Sequence, residues 1–300
     1  MKEKIISLEK LNKYYGEKHI LKDISLEIFK GECFGIIGKN GVGKTTLLEC
    51  IESIRKWQSG TIKVKGMEIQ YNSKEMKKIL GVQLQSCSLP VEMRVEEAIQ
   101  LFSAEHGCGY NHIDLKVFGL NGKLKNKYGD LSIGQKRRLH LLLAILHDPE
   151  IIILDEPTAG LDIEGKKKLY EVIKGLRSKG KTILITSHDM VEVEKLCDRV
   201  AFIVDGKVNK IEEVKELKEI DKKHIIVIET KNNSLSNINK LNNGYLKSSE
   251  DNYQEFICND INLFINEVST LLLFKKDSIV NIYIKKQSIE EELMELIGGD

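Results

Sequence analysis

The sequence predicts an α/β fold built on a mostly parallel sheet core, with an antiparallel β section ahead of it, a helical insert within it and a small α+β appendage behind it. Three observations carry this prediction. Continuous β-branched apolar runs of strand length alternate with helix-period segments through residue 208. The first thirty residues instead suggest two strands joined by a YGEK turn. A charged stretch at 209–224 breaks the alternation, and a second, smaller set of elements follows it.

The elements follow in order. KIISLEKLNKYY and ILKDISLEIFKGE read as antiparallel strands. CFGIIG (33–38), EIIILDE (150–156), KTILITS (181–187) and RVAFIV (199–204) read as buried strands, because they are apolar throughout and bounded by turns or charges. TTLLECIESIRK and IGQKRRLHLLLAILH read as helices packed on them. Strand-then-helix repetition builds a parallel sheet covered on both faces. Residues 90–130 are less apolar and suggest the helical insert. NKIEEVKELKEIDKKH (209–224) suggests a helix leading into a linker. Beyond it, 224–230, 253–258 and 278–284 read as strands, 261–273 and 289–297 as helices, and SLSNINKLNNGYLKSSEDN as mostly loop.

The bulk composition excludes several classes. The chain has 300 residues and a formal net charge of +1, which gives no global attraction to nucleic acid or anionic lipid. No apolar run approaches the roughly 18 residues that span a bilayer. The charged start MKEKIISLEK has no signal-peptide core. Six scattered cysteines, with no CxxC pair, suit free thiols in a reducing compartment. Cys108 lies near His106 and His112, but further ligands for a metal site are missing.

GKNGVGKTT (38–46) carries the chemistry. It matches GxxxxGK[ST] through Gly38, Gly43, Lys44 and Thr45, follows a buried strand and opens a helix. A triphosphate presents several closely spaced anionic oxygens. Backbone N–H groups surround them only where the chain folds tightly and no Cβ intervenes, as glycine permits. The loop therefore offers Gly38, Asn40, Gly41, Val42 and Gly43 as a phosphate cradle, with the positive end of the following helix behind it. Lys44 reaches the β- and γ-phosphates, Thr45 binds Mg²⁺ and Thr46 donates to the α-phosphate. IIILDE (151–156) is the second anchor: Asp155, at the carboxyl end of a buried strand, holds Mg²⁺ through water, and Glu156 is the general base toward the attacking water.

Between the two anchors lies LSIGQKRRL (131–139). The order of glycine loop, LSxGQ and apolar-Asp-Glu resembles that of ABC-type ATPases. Tyr15 matches the family's adenine-stacking aromatic, Gln85 its glutamine at the sheet-to-helical junction, the Ala159–Asp162 turn its A-G-L-D, and His188 the histidine ending the next strand. Gln83 stands two residues from Gln85 and leaves the register of that glutamine open. Each residue also has an ordinary role open to it. Tyr15 could pack on a strand, Gln85 could lie on the surface, His188 could cap a helix, and Asp162 could be a simple N-cap. The six ordered motifs span residues 15–188. One departure stands out: Ile133 occupies the first glycine of the usual LSGGQ, while Ser132 and Gly134 remain.

The resemblance implies a P-loop ABC-type domain over 1–215, with a helical subdomain at about 86–147 and an accessory domain over 216–300. It implies ATP and Mg²⁺ as ligands. Glu156, His188 and Gln85 would be catalytic, and Thr45, Gln85 and Asp155 would hold the metal. Ser132, Gly134, Gln135 and Asp162 would complete the nucleotide site across a head-to-tail dimer, and Tyr15 would hold the adenine. It also implies a second ATPase subunit, in all simplicity a homodimer, a separate transmembrane permease and no nucleic acid. The chain is then expected on the cytoplasmic face of the membrane. QSIEEELMELIGG (287–299) resembles the S-L-E-D-x-F-x-x-L-T-G ending of bacterial exporter ATPases, which points to export. The other readings are a soluble ABC ATPase acting on ribosome or DNA, and a regulatory module with a degenerate site.

Overall fold

Each apolar run read as a strand within residues 1–208 forms one, and the runs buried throughout, CFGII, IIILD and TILITS, each pair with a strand on either side. The computed structural model describes residues 2–69, 75–85, 88–109, 114–220, 224–250 and 253–285. The chain divides into two units, Met1–Val214 and Lys215–Asp300.

The first unit begins with β1 (Lys4–Tyr15) and β2 (Lys18–Phe29), which pair antiparallel. Then come β3 (Cys33–Ile37), α1 (Lys44–Ile51), β4 (Ser59–Val64), β5 (Met67–Glu68), α2 (Met76–Ile79) and β6 (Leu80–Gln83). Next are α3 (Val95–His106), α4 (Ile133–Ile145), β7 (Ile151–Asp155), α5 (Ile163–Ser178), β8 (Thr182–Ser187), α6 (Met190–Leu196), β9 (Arg199–Val204) and β10 (Lys207–Glu213). α7 (Val214–Ile220) lies at the boundary between the units.

Two sheets result. One is antiparallel, in the order β2-β1-β4-β5; the other is six-stranded, in the order β10-β9-β3-β8-β7-β6. In the second, β9, β3, β8, β7 and β6 run parallel and β10 closes the edge antiparallel. The fully buried runs β3, β7 and β8 are its centre. Leu47, Leu48 and Ile51 of α1 share one buried cluster with Leu8 and Ile24 of the first sheet and with Phe34, Ile153 and Leu184 of the second. Burial of this apolar surface, at about 25 cal/mol per Å², fixes α1 between the sheets.

Helix ends follow local chemistry. The Asp162 carboxylate accepts from Gly165 N at 2.8 Å and starts α5. Ser132 and Gln135 form a reciprocal capping box that starts α4. Gly81 of β6 marks where α4 meets the sheet: a Cβ there would stand 2.2 Å from the Ala144 carbonyl oxygen and 2.7 Å from Pro149. Gly81→Ala is therefore expected to cost about 1–3 kcal/mol through overpacking, read as a lower urea midpoint at unchanged slope.

Three expectations need correction. The stretch at 209–224 is not one helix. Its first residues complete β10, because Asp205 and Gly206, both with positive φ, turn the chain back so that Ile211 pairs with Ala201 on β9. Residues 90–130 carry a single helix of length, α3. Gly107, Gly119 and Gly122 take positive φ, and the described remainder is turns and a 3₁₀ turn at Tyr128–Asp130. In the second unit, the polar segment read as loop contains a strand.

That unit holds β11 (His224–Thr230), β12 (Gly244–Glu250), β13 (Tyr253–Cys258), α8 (Ile261–Phe274) and β14 (Ile279–Lys285). Its sheet is antiparallel, in the order β12-β13-β11-β14. Phe264, Val268 and Leu272 of α8 pack with Ile226, Ile228 and Phe256. β12 lies at an edge with one partner, so GYLKSSE needs no apolar run to pair. The helix expected at 289–297 and the exporter-like ending at 287–299 lie outside the described residues, as does His112. No described helix is long and apolar enough to cross a membrane.

Candidate active site

Parallel pairing brings the candidate residues to one edge of the second sheet. Ile37 of β3 is level with Ser187 of β8, Asp155 of β7 with Thr186, and Gln83 of β6 with Leu154. The residues just beyond these strands are Gly38, His188, Glu156 and Gln85, so all emerge at the carboxyl edge, where open α/β sheets bind ligands.

The glycine loop connects β3 to α1 over this edge. A Cβ on Gly38 would stand 2.6 Å from Ile203 O and 2.9 Å from Val42 Cγ1, so the backbone passes where no larger residue fits. Gly43, with φ 109°, is the N-cap of α1. The first-turn N–H groups at Lys44, Thr45 and Thr46 have no acceptor within the helix and face outward as an anion cradle. Asn40 and Gly41 are exposed, and Val42 and Thr46 are half-buried.

Lys44 is buried. Its ammonium donates to Gly38 O at 2.8 Å and to Lys39 O at 3.2 Å, and stands 3.4 Å from Glu156 Oε1. Two further groups reach the same carboxylate. Gln85 Nε2 donates to Glu156 Oε2 at 3.2 Å, and His188 Nδ1 lies 3.3 Å from that oxygen. Glu156 is 8% exposed and takes φ 43°. A left-handed glutamate costs about 1–3 kcal/mol and persists only where the surroundings impose it. Thr186 imposes it: Glu156 N donates to Thr186 O at 3.2 Å and to its Oγ1 at 3.0 Å.

Beside this cluster, Thr45 Oγ1 donates to Asp155 Oδ2 at 2.8 Å, and the Thr186 hydroxyl donates to Asp155 Oδ1. A hydroxyl and a carboxylate in contact form an all-oxygen pair, the donor set a hard divalent cation takes. Mg²⁺ is commonly held by one or two carboxylates together with substrate phosphates. The residues present fit a magnesium ion.

Of the two glutamines, Gln85 reaches Glu156, whereas the Gln83 side chain is buried. Other candidates stand apart. Tyr15 is 41% exposed and lies near Lys13 and Arg55, at 4.8 and 5.3 Å from its ring centroid. Ser132, Gly134 and Gln135 build the start of α4, and Asp162 the start of α5. None of these five makes a hydrogen bond to Lys44, Asp155 or Glu156 among the described residues. One link does join α4 to the site: Arg137 Nη1 donates to Gln85 O at 2.6 Å.

Sequence reasoning missed Thr186 and Arg137. Thr186 left a signal, as a polar residue inside the apolar run TILITS opposite Asp155. Arg137 left none, because its partner is a backbone carbonyl on a distant segment.

The helix that begins at the glycine loop ends at Glu52, whose carboxyl is buried with neither oxygen hydrogen-bonded. Burial, with added like charge from Asp155 and Glu49, pushes this carboxyl from its ordinary 4.5 up to about 8. A raised acid contributes its full stability below pH 4.5 and loses it as pH rises through about 8. Glu52→Gln is therefore expected to stabilise the chain at pH 7.5 by up to about 3 kcal/mol. The gain should vanish toward pH 4.5, as read by urea unfolding at both pH values.

Comparison with known proteins agrees with this architecture. The family described as "ABC transporter" matches residues 21–159. The chain is 36% identical over 208 residues to the Nod factor export ATP-binding protein I of Burkholderia orbicola (strain AU 1054), covering 67% of this chain and 68% of that one. It is 35% identical over 208 residues to the linearmycin resistance ATP-binding protein LnrL of Bacillus subtilis (strain 168), covering 67% and 66%. Among solved structures it resembles the dimeric post-hydrolysis state of the ATP-binding cassette MJ0796 bound to ADP and Pi. That match has a TM-score of 0.62 and 25% identity and covers 70% of this chain and 99% of that one. With the glycine loop, the Asp155–Glu156 pair and the LSIGQ helix all in place, the chain belongs to the ABC transporter family, as an ATP-binding subunit.

Proposed function

We propose that this chain hydrolyses ATP to ADP and phosphate and powers export through a separate membrane permease. We assign the nucleotide-binding domain to residues 1–215, its helical subdomain to about 86–147 and an accessory domain to 216–300. The observation that carries the reaction is the convergence of Lys44, Gln85 and His188 on the Glu156 carboxylate, directly beside the Thr45–Asp155 pair.

The residues divide the work. The N–H groups at 40–46 and the Lys44 ammonium bind the phosphates, with Lys44 exchanging carbonyl partners for phosphate oxygens. Thr45, Asp155 and Gln85 would hold Mg²⁺, which would neutralise phosphate charge. Glu156 takes the proton of the attacking water, and His188 and Gln85 orient that water and steady the γ-phosphate. Tyr15 stacks on the adenine. Phosphoryl transfer consists mainly of positioning and charge compensation, which suits a site made of fixed donors.

Ser132, Gly134 and Gln135 then serve the nucleotide of a second, head-to-tail copy, with Asp162 on the same surface. Ser132 Oγ accepts from Gln135 N at 3.2 Å, which leaves its proton free to donate across the dimer. Ile133 is 60% exposed and does not disturb this cap, so the departure from LSGGQ leaves the contacting groups in place. The two relatives named for Nod factor export and linearmycin resistance support export over action on ribosomes or DNA. By the same reading the chain sits at the cytoplasmic face of the membrane through its permease.

The test combines two readouts. The purified chain should release phosphate from ATP only with Mg²⁺ present, and should co-purify with a membrane protein when the two are expressed together. Hydrolysis without any membrane partner, joined to salt-sensitive binding of nucleic acid, would reverse the choice in favour of the soluble reading.

A further inference from the structure

A cavity of about 260 Å³ lies in the first unit, behind the nucleotide site, between the end of α1, strand β6 and helices α3 and α4. Its lining gathers buried polar side chains with atoms that find no hydrogen-bond partner among the described residues. Glu52, Gln83 and His140 are each more than nine-tenths buried, and both polar atoms of each lack a hydrogen-bond partner. His147 adds a fourth: its Nε2 contacts Leu80 O at 3.1 Å, and its Nδ1 is unpartnered. Buried polar groups are normally paired, so four such residues around one void indicate an occupant.

The orphan atoms specify its chemistry. A carbonyl oxygen only accepts, so His147 Nε2 carries the ring proton toward Leu80 O and Nδ1 is a bare acceptor. Burial pushes the His140 imidazole down to about 4, so it too is neutral and offers one acceptor and one donor. With both oxygens of an ionised Glu52 and Gln83 Oε1, the cavity presents five acceptors against two donors, Gln83 Nε2 and the His140 N–H; the proton that burial keeps on Glu52 in the empty cavity adds a third donor. Among the described residues, the charges that act on Glu52 are those of Asp155 and Glu49, both acidic. Lys77, the one lysine on the lining among the described residues, is exposed and makes no ion pair with Glu52. Ser53 and His106, whose ring stacks on His147 at 4.0 Å between centroids, also line it, and the other walls, including Leu80, Phe102 and Leu143, are apolar. The volume is below the roughly 300 Å³ at which drug-sized ligands begin to fit.

We propose that this cavity binds one guanidinium or alkylammonium group carried on a short apolar stem, with Glu52 as its counter-ion and Gln83, His140 and His147 as hydrogen-bond acceptors. A guanidinium brings several N–H donors and no acceptor, which matches the surplus of acceptors on the walls. The cation replaces the proton that burial otherwise keeps on Glu52. The site adjoins the nucleotide site through two elements: α1 carries Lys44 and Thr45 at its other end, and β6 leads directly to Gln85.

The test uses the isolated chain and n-butylguanidinium, with neutral, similarly shaped n-butylurea as control. The readout is the ring C–H resonances of His140 and His147 in histidine-labelled protein, assigned by His140→Gln and His147→Gln. Saturable shifts with the cation, at least tenfold weaker with the urea and at least tenfold weakened by Glu52→Gln, are the expected result. Equal shifts with the urea, shifts that survive Glu52→Gln, or no shift with either probe would overturn the proposal and leave a water-filled void. Circular dichroism of Glu52→Gln checks that the variant is folded, and Glu52→Asp, which keeps the charge, should retain part of the binding. None of these readouts involves ATP, so their failure is distinct from failure of the ATPase reading. Repeating the titration on the chain purified with a membrane partner separates two sources of the cation. Exclusion of the probe means that a partner's arginine or lysine already fills the cavity, and continued binding means a free small cation.

Discussion

Glu156→Gln is expected to lower ATP turnover by about 10²–10⁴-fold, the usual contribution of a positioned general base, while leaving nucleotide affinity within a few-fold of the parent. The amide preserves the shape of the side chain but cannot take a proton from water. The phosphate-binding groups are elsewhere: the glycine-loop amides, Lys44, and the Thr45–Asp155 pair at 2.8 Å. ATP should therefore bind and stay. Size-exclusion chromatography of this variant with Mg-ATP should convert monomer to dimer, since the trapped nucleotide supplies the charge that bridges the glycine loop of one copy to Ser132 and Gly134 of the other. A stable ATP-dependent dimer would show that Ile133 does not block closure. A variant that binds ATP and remains monomeric would instead point to a different partner ATPase, or to closure only on the permease.

The second large effect is expected from Lys44→Ala. Removing one preorganised donor from a developing anion costs about 10²–10³-fold in turnover, and here affinity should fall as well, because Lys44 meets the phosphates in the ground state too. The two variants thus separate. Glu156→Gln affects the chemical step alone, whereas Lys44→Ala affects binding and chemistry, measured by fluorescent-nucleotide titration and phosphate release. The Lys44 substitution also leaves the 8%-exposed Glu156 carboxylate without its ammonium neighbour at 3.4 Å. Loss of a buried partner destabilises by several kcal/mol where the remaining charge cannot reach water. Here Gln85 and His188 remain in contact with the carboxylate, so the fold should persist, which a thermal melt checks.

The sequence by itself determined the strands at the centre of the sheet and pointed to the glycine loop and the acidic pair as candidates for the site. CFGII, IIILD and TILITS are apolar, β-branched and bounded, and such runs have one stable environment, the middle of a parallel sheet. GKNGVGKTT and Asp155–Glu156 were legible because their chemistry is local: glycines, a lysine and hydroxyls in one loop, and acids at a strand end. The elements it misplaced are those whose pairing is decided at a distance. NKIEE carries the composition of a helix and becomes β10, because a turn at Asp205–Gly206 lays it against β9. GYLKSSE is polar and becomes β12, because β13 offers it an open edge. Edge strands bury one side only, so they need no apolar run and leave none to read.

Only the tertiary structure decided which glutamine reaches Glu156. Gln83 and Gln85 stand two residues apart in an extended segment, and spacing alone cannot separate them. Parallel pairing of β6 with β7 keeps Gln83 level with Leu154 and carries Gln85 past the strand end to Glu156. The same holds for the left-handed Glu156, for Thr186 beneath it, and for the cavity that residues 52, 83, 140 and 147 line together. A local pattern fixes which face of an element is buried. The neighbours that meet that face come from other parts of the chain, and their arrangement follows from the packing of the whole.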